Sequence, residues 1–219
     1  MITAGVLVEE MAKSTGVPVG TVNLFFRNLR EARLVTTGAR GVNAPAMQRL
    51  DAARLLLAIA VTDRPVRAAQ AVRDFGQLTD IDQDTISAEV GIANALAKLA
   101  NEPGSWRIVC HVHVQTLAVE LMCVDSPKFT RSMAEGGEQE RPWTSQHFLH
   151  PNYAIPPSDS DDFEEIAAEL DRDDAVEEIK ARYFNRLQVT RTLLPVVLDE
   201  IAALFPSDAA DEPESDRQP

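Results

Sequence analysis

Residues 12–35 read AKSTGVPVGTVNLFFRNLREARLV, and the spacing within them decides the fold expected of the N-terminal part. Val22, Phe25, Phe26, Leu29 and Ala32 return at helical period and make one apolar stripe, the mark of a helix with a single buried face. Pro18 suits the first turn of that helix, where its missing N–H costs nothing. Just upstream, Val6, Leu7, Met11 and Ala12 repeat the same periodicity, and Gly16 stops that helix. The turn between the two is about three or four residues long, the length that sets two helices at a steep angle in a helix-turn-helix.

Within this stretch Ala12, Thr15-Gly16-Val17-Pro18 and Thr21-Val22 stand in register, followed by Leu29, Glu31, Ala32, Leu34 and Val35. That run resembles the helix-turn-helix of winged-helix regulators, particularly the IclR type. The following TTGARGVNA, with Gly38, Arg40 and Gly41 at its tip, resembles their short β-wing. The resemblance spans about 40 residues and implies a DNA-binding module, with the second helix entering the major groove of duplex DNA. With Val22, Phe25, Leu29 and Ala32 turned inward, Gly20, Thr21, Asn23, Arg27 and Arg30 are left wholly or partly outward. Asn23 and Arg27 share one face, and amide and guanidinium groups suit bidentate pairing with adenine and guanine. Lys13, Arg30 and Arg40 are the expected phosphate contacts. A pair of helices alone would leave Phe25 or Phe26 bare, so a later helix or a second subunit is expected to cover them.

Charge is distributed unevenly. The 219 residues carry a net charge of -13, which opposes a polyanionic partner. Yet residues 1–50 hold six Lys/Arg against three Asp/Glu, whereas residues 151–219 hold eighteen Asp/Glu against six Lys/Arg. The basic end coincides with the presumptive DNA reader, and the acidic end is expected to stay away from DNA. The early apolar residues are interrupted by Glu9, Glu10 and Lys13, and no run approaches the roughly 18 apolar residues of a membrane span. A cytoplasmic protein is expected, with Cys110 and Cys123 as reduced thiols.

Further along, a helix opening at Asp51 is expected to be broken by Asp63 to Pro65 before a second helix over residues 66–75, with Asp51 at the first N-terminus. Arg64, Arg67 and Arg73 read either as a wet helix face or as a second phosphate surface. A helix is expected over residues 85–100. In WRIVCHVHVQTLAVELMCVD the period changes to two, and a hairpin turning at Gln115-Thr116 places Val112 opposite Val119 and His111 opposite Glu120. His111, His113, His147 and His150 invite a zinc reading, but no Cys-x-x-Cys or defined geometry supports it, so no metal and no cofactor are expected. Neither cysteine has an orienting partner for catalysis, and an enzyme is not expected.

Residues 126–160 read as a long irregular loop and residues 161–170 as a short helix. From Asp173 to Phe205, Val176, Tyr183, Thr190, Val197 and Leu204 recur every seven residues, with Leu187, Leu194 and Ile201 between them. That pattern predicts one long helix, kinked at Pro195, that packs on its own domain or pairs with a second copy. The final stretch, 207–219, is polar, acidic and expected to be disordered.

The resulting expectation is a mostly α protein with a small β component (α+β). A winged helix-turn-helix module over 1–48 precedes a helical and β-hairpin centre over 49–125, the loop 126–160 and C-terminal helices over 161–206. The function expected is sequence-specific DNA binding, as a transcriptional regulator acting as a homodimer. Two alternatives stand beside it: a phage small-terminase-like packaging protein, and an adaptor whose winged helix binds protein.

Overall fold

The computed structural model describes residues 2–38, 45–82, 85–125, 143–150, 174–183 and 190–207. It is an α+β fold in which helices cover one face of a five-stranded antiparallel sheet.

Helix α1 (Ala4–Thr15) begins with the Thr3 hydroxyl accepting from the Val6 N–H at 3.3 Å and ends at Gly16, whose φ of 71° is the left-handed closure glycine favours. Its buried face is Leu7, Val8 and Met11, so the stripe is turned from the one expected: Val6 is 45% exposed. Helix α2 (Val19–Glu31) buries Val22, Phe25, Phe26 and Leu29 as the period required. Pro18 stands at its N-cap, one residue ahead of the first turn. Helix α3 (Arg49–Val61) is apolar nearly all round and lies at the centre of the helical layer, against α2, α4 (Ala68–Gly76) and α5 (Ala88–Asn101). It supplies the cover that Phe25 and Phe26 needed, together with the 3-10 turn Pro65–Arg67 and α4. Gln48 and Asp51 form a capping box at its start.

Strands β1 (Thr79–Asp80), β2 (Trp106–His113), β3 (Ala118–Asp125), β4 (Trp143–Leu149) and β5 (Thr190–Leu193) lie in the order β1-β4-β3-β2-β5. The hairpin has the expected register, Val112 opposite Val119 and His111 opposite Glu120. Its turn is longer than two residues: the strands stop at His113 and Ala118, and Leu117 takes the positive φ, 50°. Ile108, Cys110, Val112, Val119, Leu121 and Phe148 form the sheet's inner face, packed on the helices. Gly91 in α5 permits this contact, because a Cβ there would collide with the Phe148 ring.

Two expectations are corrected. The loop 126–160 contains β4, paired with β3 from Ala118↔Leu149 to Val124↔Trp143. Of the inward positions Thr144, Gln146 and Phe148 in WTSQHFL only the last is apolar, so no apolar period of two announced it. The long C-terminal helix is also replaced. A helix over 174–183 (α6) is followed by β5 and then by α7 (Pro195–Ala202). Thr190 and Thr192 are β-branched, Pro195 forces the residue before it out of helical geometry, and pairing with β2 satisfies the strand's backbone. The seven-residue spacing therefore crosses three elements, and Leu194 is 55% exposed. Helix α7 packs on α1 and α5 of its own chain through Val197, Leu198, Ile201 and Ala202. One contiguous set of buried side chains runs from Leu7 to Phe205.

Wing residues Thr36, Thr37 and Gly38 are not in a strand, while Arg40 and Gly41 lie outside the described residues, as do the short helix expected over 161–170 and the tail from 208. No described helix is long and apolar enough to cross a membrane.

Candidate functional site

The two N-terminal helices meet across a turn of Gly16, Val17 and Pro18. The Thr15 hydroxyl donates to the Met11 carbonyl at 2.6 Å, and the Thr21 and Val22 N–H groups donate to the Pro18 carbonyl at 2.8 and 3.0 Å. The turn is thereby held at both ends.

Helix α2 is anchored from behind by its apolar stripe and at its exit by two polar clamps. Asp51, buried at the start of α3, accepts from the Thr36 N–H at 2.7 Å and the Gln48 N–H at 2.7 Å. Arg54 grips Glu89 of α5 with two bonds, 2.9 and 2.7 Å, and donates to the Leu34 carbonyl at 2.7 Å. A bidentate, partly buried pair of this kind fixes direction as well as distance. Glu89 in turn raises the pKa of Arg54, chiefly by accepting its hydrogen bond.

Of the residues read from the sequence, Gly20, Asn23, Arg27 and Arg30 are exposed on α2, and Thr21 is half-buried at its first turn. Gly20 has open space where a Cβ would stand, so close approach of a partner is unobstructed. Asn23 and Arg27 lie one turn apart. Arg27 is engaged by Glu31 at 2.7 Å, and Lys13 on α1 by Glu10 at 2.8 Å; each carboxylate raises the pKa of its cation through the hydrogen bond first and charge second. Both are exposed pairs, which exchange readily for a better anion. Arg40 lies outside the described residues.

The sequence reading passed over two features of this surface. Arg33, just past α2, is exposed with φ 59° and extends the row of guanidinium groups. Val19 and Leu24, 53% and 51% exposed, stand among the polar positions. The exposure of Val19 and Leu24 follows from the helical wheel of α2 once the buried face is known, whereas Arg33 lies past the helix.

The histidines are divided. His111 and His113 project from the outer sheet face, 6.2 Å between ring centroids, each with its Nδ1 against a β5 threonine: Thr192 at 3.0 Å and Thr190 at 3.2 Å. His147 touches Ser145 at 3.2 Å, and burial lowers the pKa of His150, with Asp74 opposing. Among the described residues no three His, Cys, Asp or Glu are placed to hold a metal ion. Cys110 is fully buried, which pushes its thiol up to about 12 and keeps it protonated and unreactive.

Compared as a whole chain, the protein matches no family model, no curated protein and no solved structure.

Proposed function

We propose that this chain is a sequence-specific DNA-binding protein that reads duplex DNA with the exposed face of α2. The observation that carries this reading is the presentation of Asn23 and Arg27, one turn apart and exposed, on a helix whose opposite face is locked into the core. Side chains that reach base edges must be held by a rigid support, and α2 has one. Gly20 and Thr21 at its first turn admit the phosphate backbone closely, while Lys13 and Arg30 supply cations on the flanks; Arg40, expected from the sequence to join them, lies outside the described residues. Binding releases Arg27 from Glu31 and Lys13 from Glu10, exchanging exposed carboxylates for phosphates or bases. The acidic C-terminal composition confines DNA to the basic N-terminal face. A regulator acting as a homodimer is the assembly proposed, with a small-terminase-like packaging role as the alternative.

A second reading has its own support. Leu24 and Val19 are apolar and exposed at the middle and start of the same face, a composition suited to a protein partner.

Selection from a random duplex pool, followed by fluorescence anisotropy at several salt concentrations, tests both. The DNA reading requires a preferred sequence, affinity falling steeply with salt, and a changed preference in Asn23→Ala and Arg27→Ala. Each lost base pairing should cost about 1–3 kcal/mol of discrimination. No selected sequence, or a preference unchanged in both variants, defeats it. Light scattering separates a dimeric regulator from the many-subunit ring of a packaging protein.

A further inference from the structure

At the far end of α3 from its capping box, four guanidinium groups converge on one cleft of about 390 Å³. Arg64 and Arg67 come from the 3-10 turn, Arg182 from the end of α6 and Arg191 from β5, while the β2–β3 turn closes the rim at Gln115. Asp63 is the one carboxylate among the lining residues. In a protein of net charge -13, that concentration of cations is a local reversal of sign.

The four arginines are committed to different degrees. Arg191 donates to the Ile59 carbonyl at 3.2 Å and to Asp63 at 2.8 Å. Arg182 is held by Asp74 at 3.0 Å and Glu178 at 3.3 Å. Asp74, buried in α4, also accepts from the Tyr183 hydroxyl at 2.7 Å, which fixes that ring in the cleft wall, edge-on to Phe75 with ring centroids 5.3 Å apart. Burial first, then the bond to Asp74, pushes the Tyr183 hydroxyl well above its ordinary range, so it stays neutral and adds no negative charge. Arg67 donates only to the Arg182 carbonyl, at 3.3 Å, leaving most of its five N–H groups unused. The guanidinium of Arg64 has no partner among the described residues.

We propose that this cleft binds a small oxyanion carrying at least two phosphate or carboxylate groups. Arg64 and Arg67 take its oxygens in bidentate fashion, while Arg182 and Arg191, positioned by their carboxylates, supply the surrounding field. Planar guanidinium forks match both anion types, and Arg64 and Arg67, unlike Arg182 and Arg191, have no carboxylate partner among the described residues. The volume suits a small molecule. A polymer is disfavoured because the site is concave and exposed carboxylates stand at it, Asp63 in its lining and Glu178 against Arg182. This site is separate from the α2 face, and its occupancy does not depend on DNA binding.

Isothermal titration of the full chain with pyrophosphate and, separately, citrate tests the proposal at fixed ionic strength. The expected result is saturable binding with a Kd below about 1 mM for at least one probe, the tighter one showing whether phosphate or carboxylate is preferred. The double variant Arg64→Ala/Arg67→Ala should weaken it about tenfold or more, with unchanged melting in the absence of probe. Arg73→Ala, exposed on α4 and outside the cleft, should bind as the parent does. The proposal is overturned if neither probe saturates, if the double variant binds as well as the parent, or if its only loss is in affinity for duplex DNA.

Discussion

The α2 face and the arginine cleft are both cationic surfaces, and they hold their charge in opposite ways. On α2 the partner is local: Glu31 lies four residues from Arg27, and both are exposed. In the cleft the partner is remote: Asp74 meets Arg182 and Tyr183 from more than a hundred residues away, and it is buried. A local exposed pair is easily given up, which suits a surface that exchanges its carboxylates for another anion. A remote buried carboxylate is structural and fixes where the cations stand. Arginines thus stand on an exposed helix face in one place, Arg27, Arg30 and Arg33, and around a cleft in the other, Arg64, Arg67, Arg182 and Arg191.

The sharpest way to break this comparison is Asp74→Ala. It leaves the Tyr183 hydroxyl and Gln70 without their acceptor and frees Arg182, so unfolding by urea should show a loss of about 2–4 kcal/mol, together with weakened anion binding. A loss no greater than that of an exposed substitution would make the two surfaces energetically alike. Alkaline pH comes next. Cys110 ionises near 9.0 when unfolded and near 12 when folded, and Tyr183 is also raised, above 10.0. A raised folded pKa gives stability that is whole below the unfolded value and lost as pH climbs. Stability should fall above pH 9.0, by at most about 1.4 kcal/mol per pH unit for the thiol alone. Cys110→Ala should make that decline shallower, which thermal melts at several pH values would show. The smallest effect belongs to the α2 face: Arg27→Ala removes an exposed pair, so its melting temperature should match the parent's even where the proposed DNA preference changes.

Much of the helical part was legible in the sequence because each signal there is local. The stripe Val22, Phe25, Phe26 and Leu29 and the stop at Gly16 need only the neighbouring turn, and the hairpin register followed from a strict period of two. Strand β4 was hidden because its inward positions Thr144 and Gln146 are polar and only Phe148 among them is apolar. Strand β5 was hidden because Thr190, Val197 and Leu204 fit a heptad as well as they fit a strand, a helix and the turn after it. On α2 the candidate residues Gly20, Asn23, Arg27 and Arg30 could be named from the helical wheel, since exposure there is the complement of one buried stripe. The cleft had no such signal. Arg64 and Arg67 are visible as a pair, but Arg182 and Arg191 join them only when α6 and β5 return to the end of α3.

The amino-acid sequence thus determined the α+β class, the helix-turn-helix and the outward residues of α2, because periodicity, capping and turn chemistry act within a few residues. Tertiary structure alone decided that α6, β5 and α7 stand where one long helix was expected, and that Arg182 and Arg191 share one cavity with Arg64 and Arg67. Strand pairing is settled by a partner's free backbone, and a charge's value by what stands around it; neither is written in the spacing of the chain.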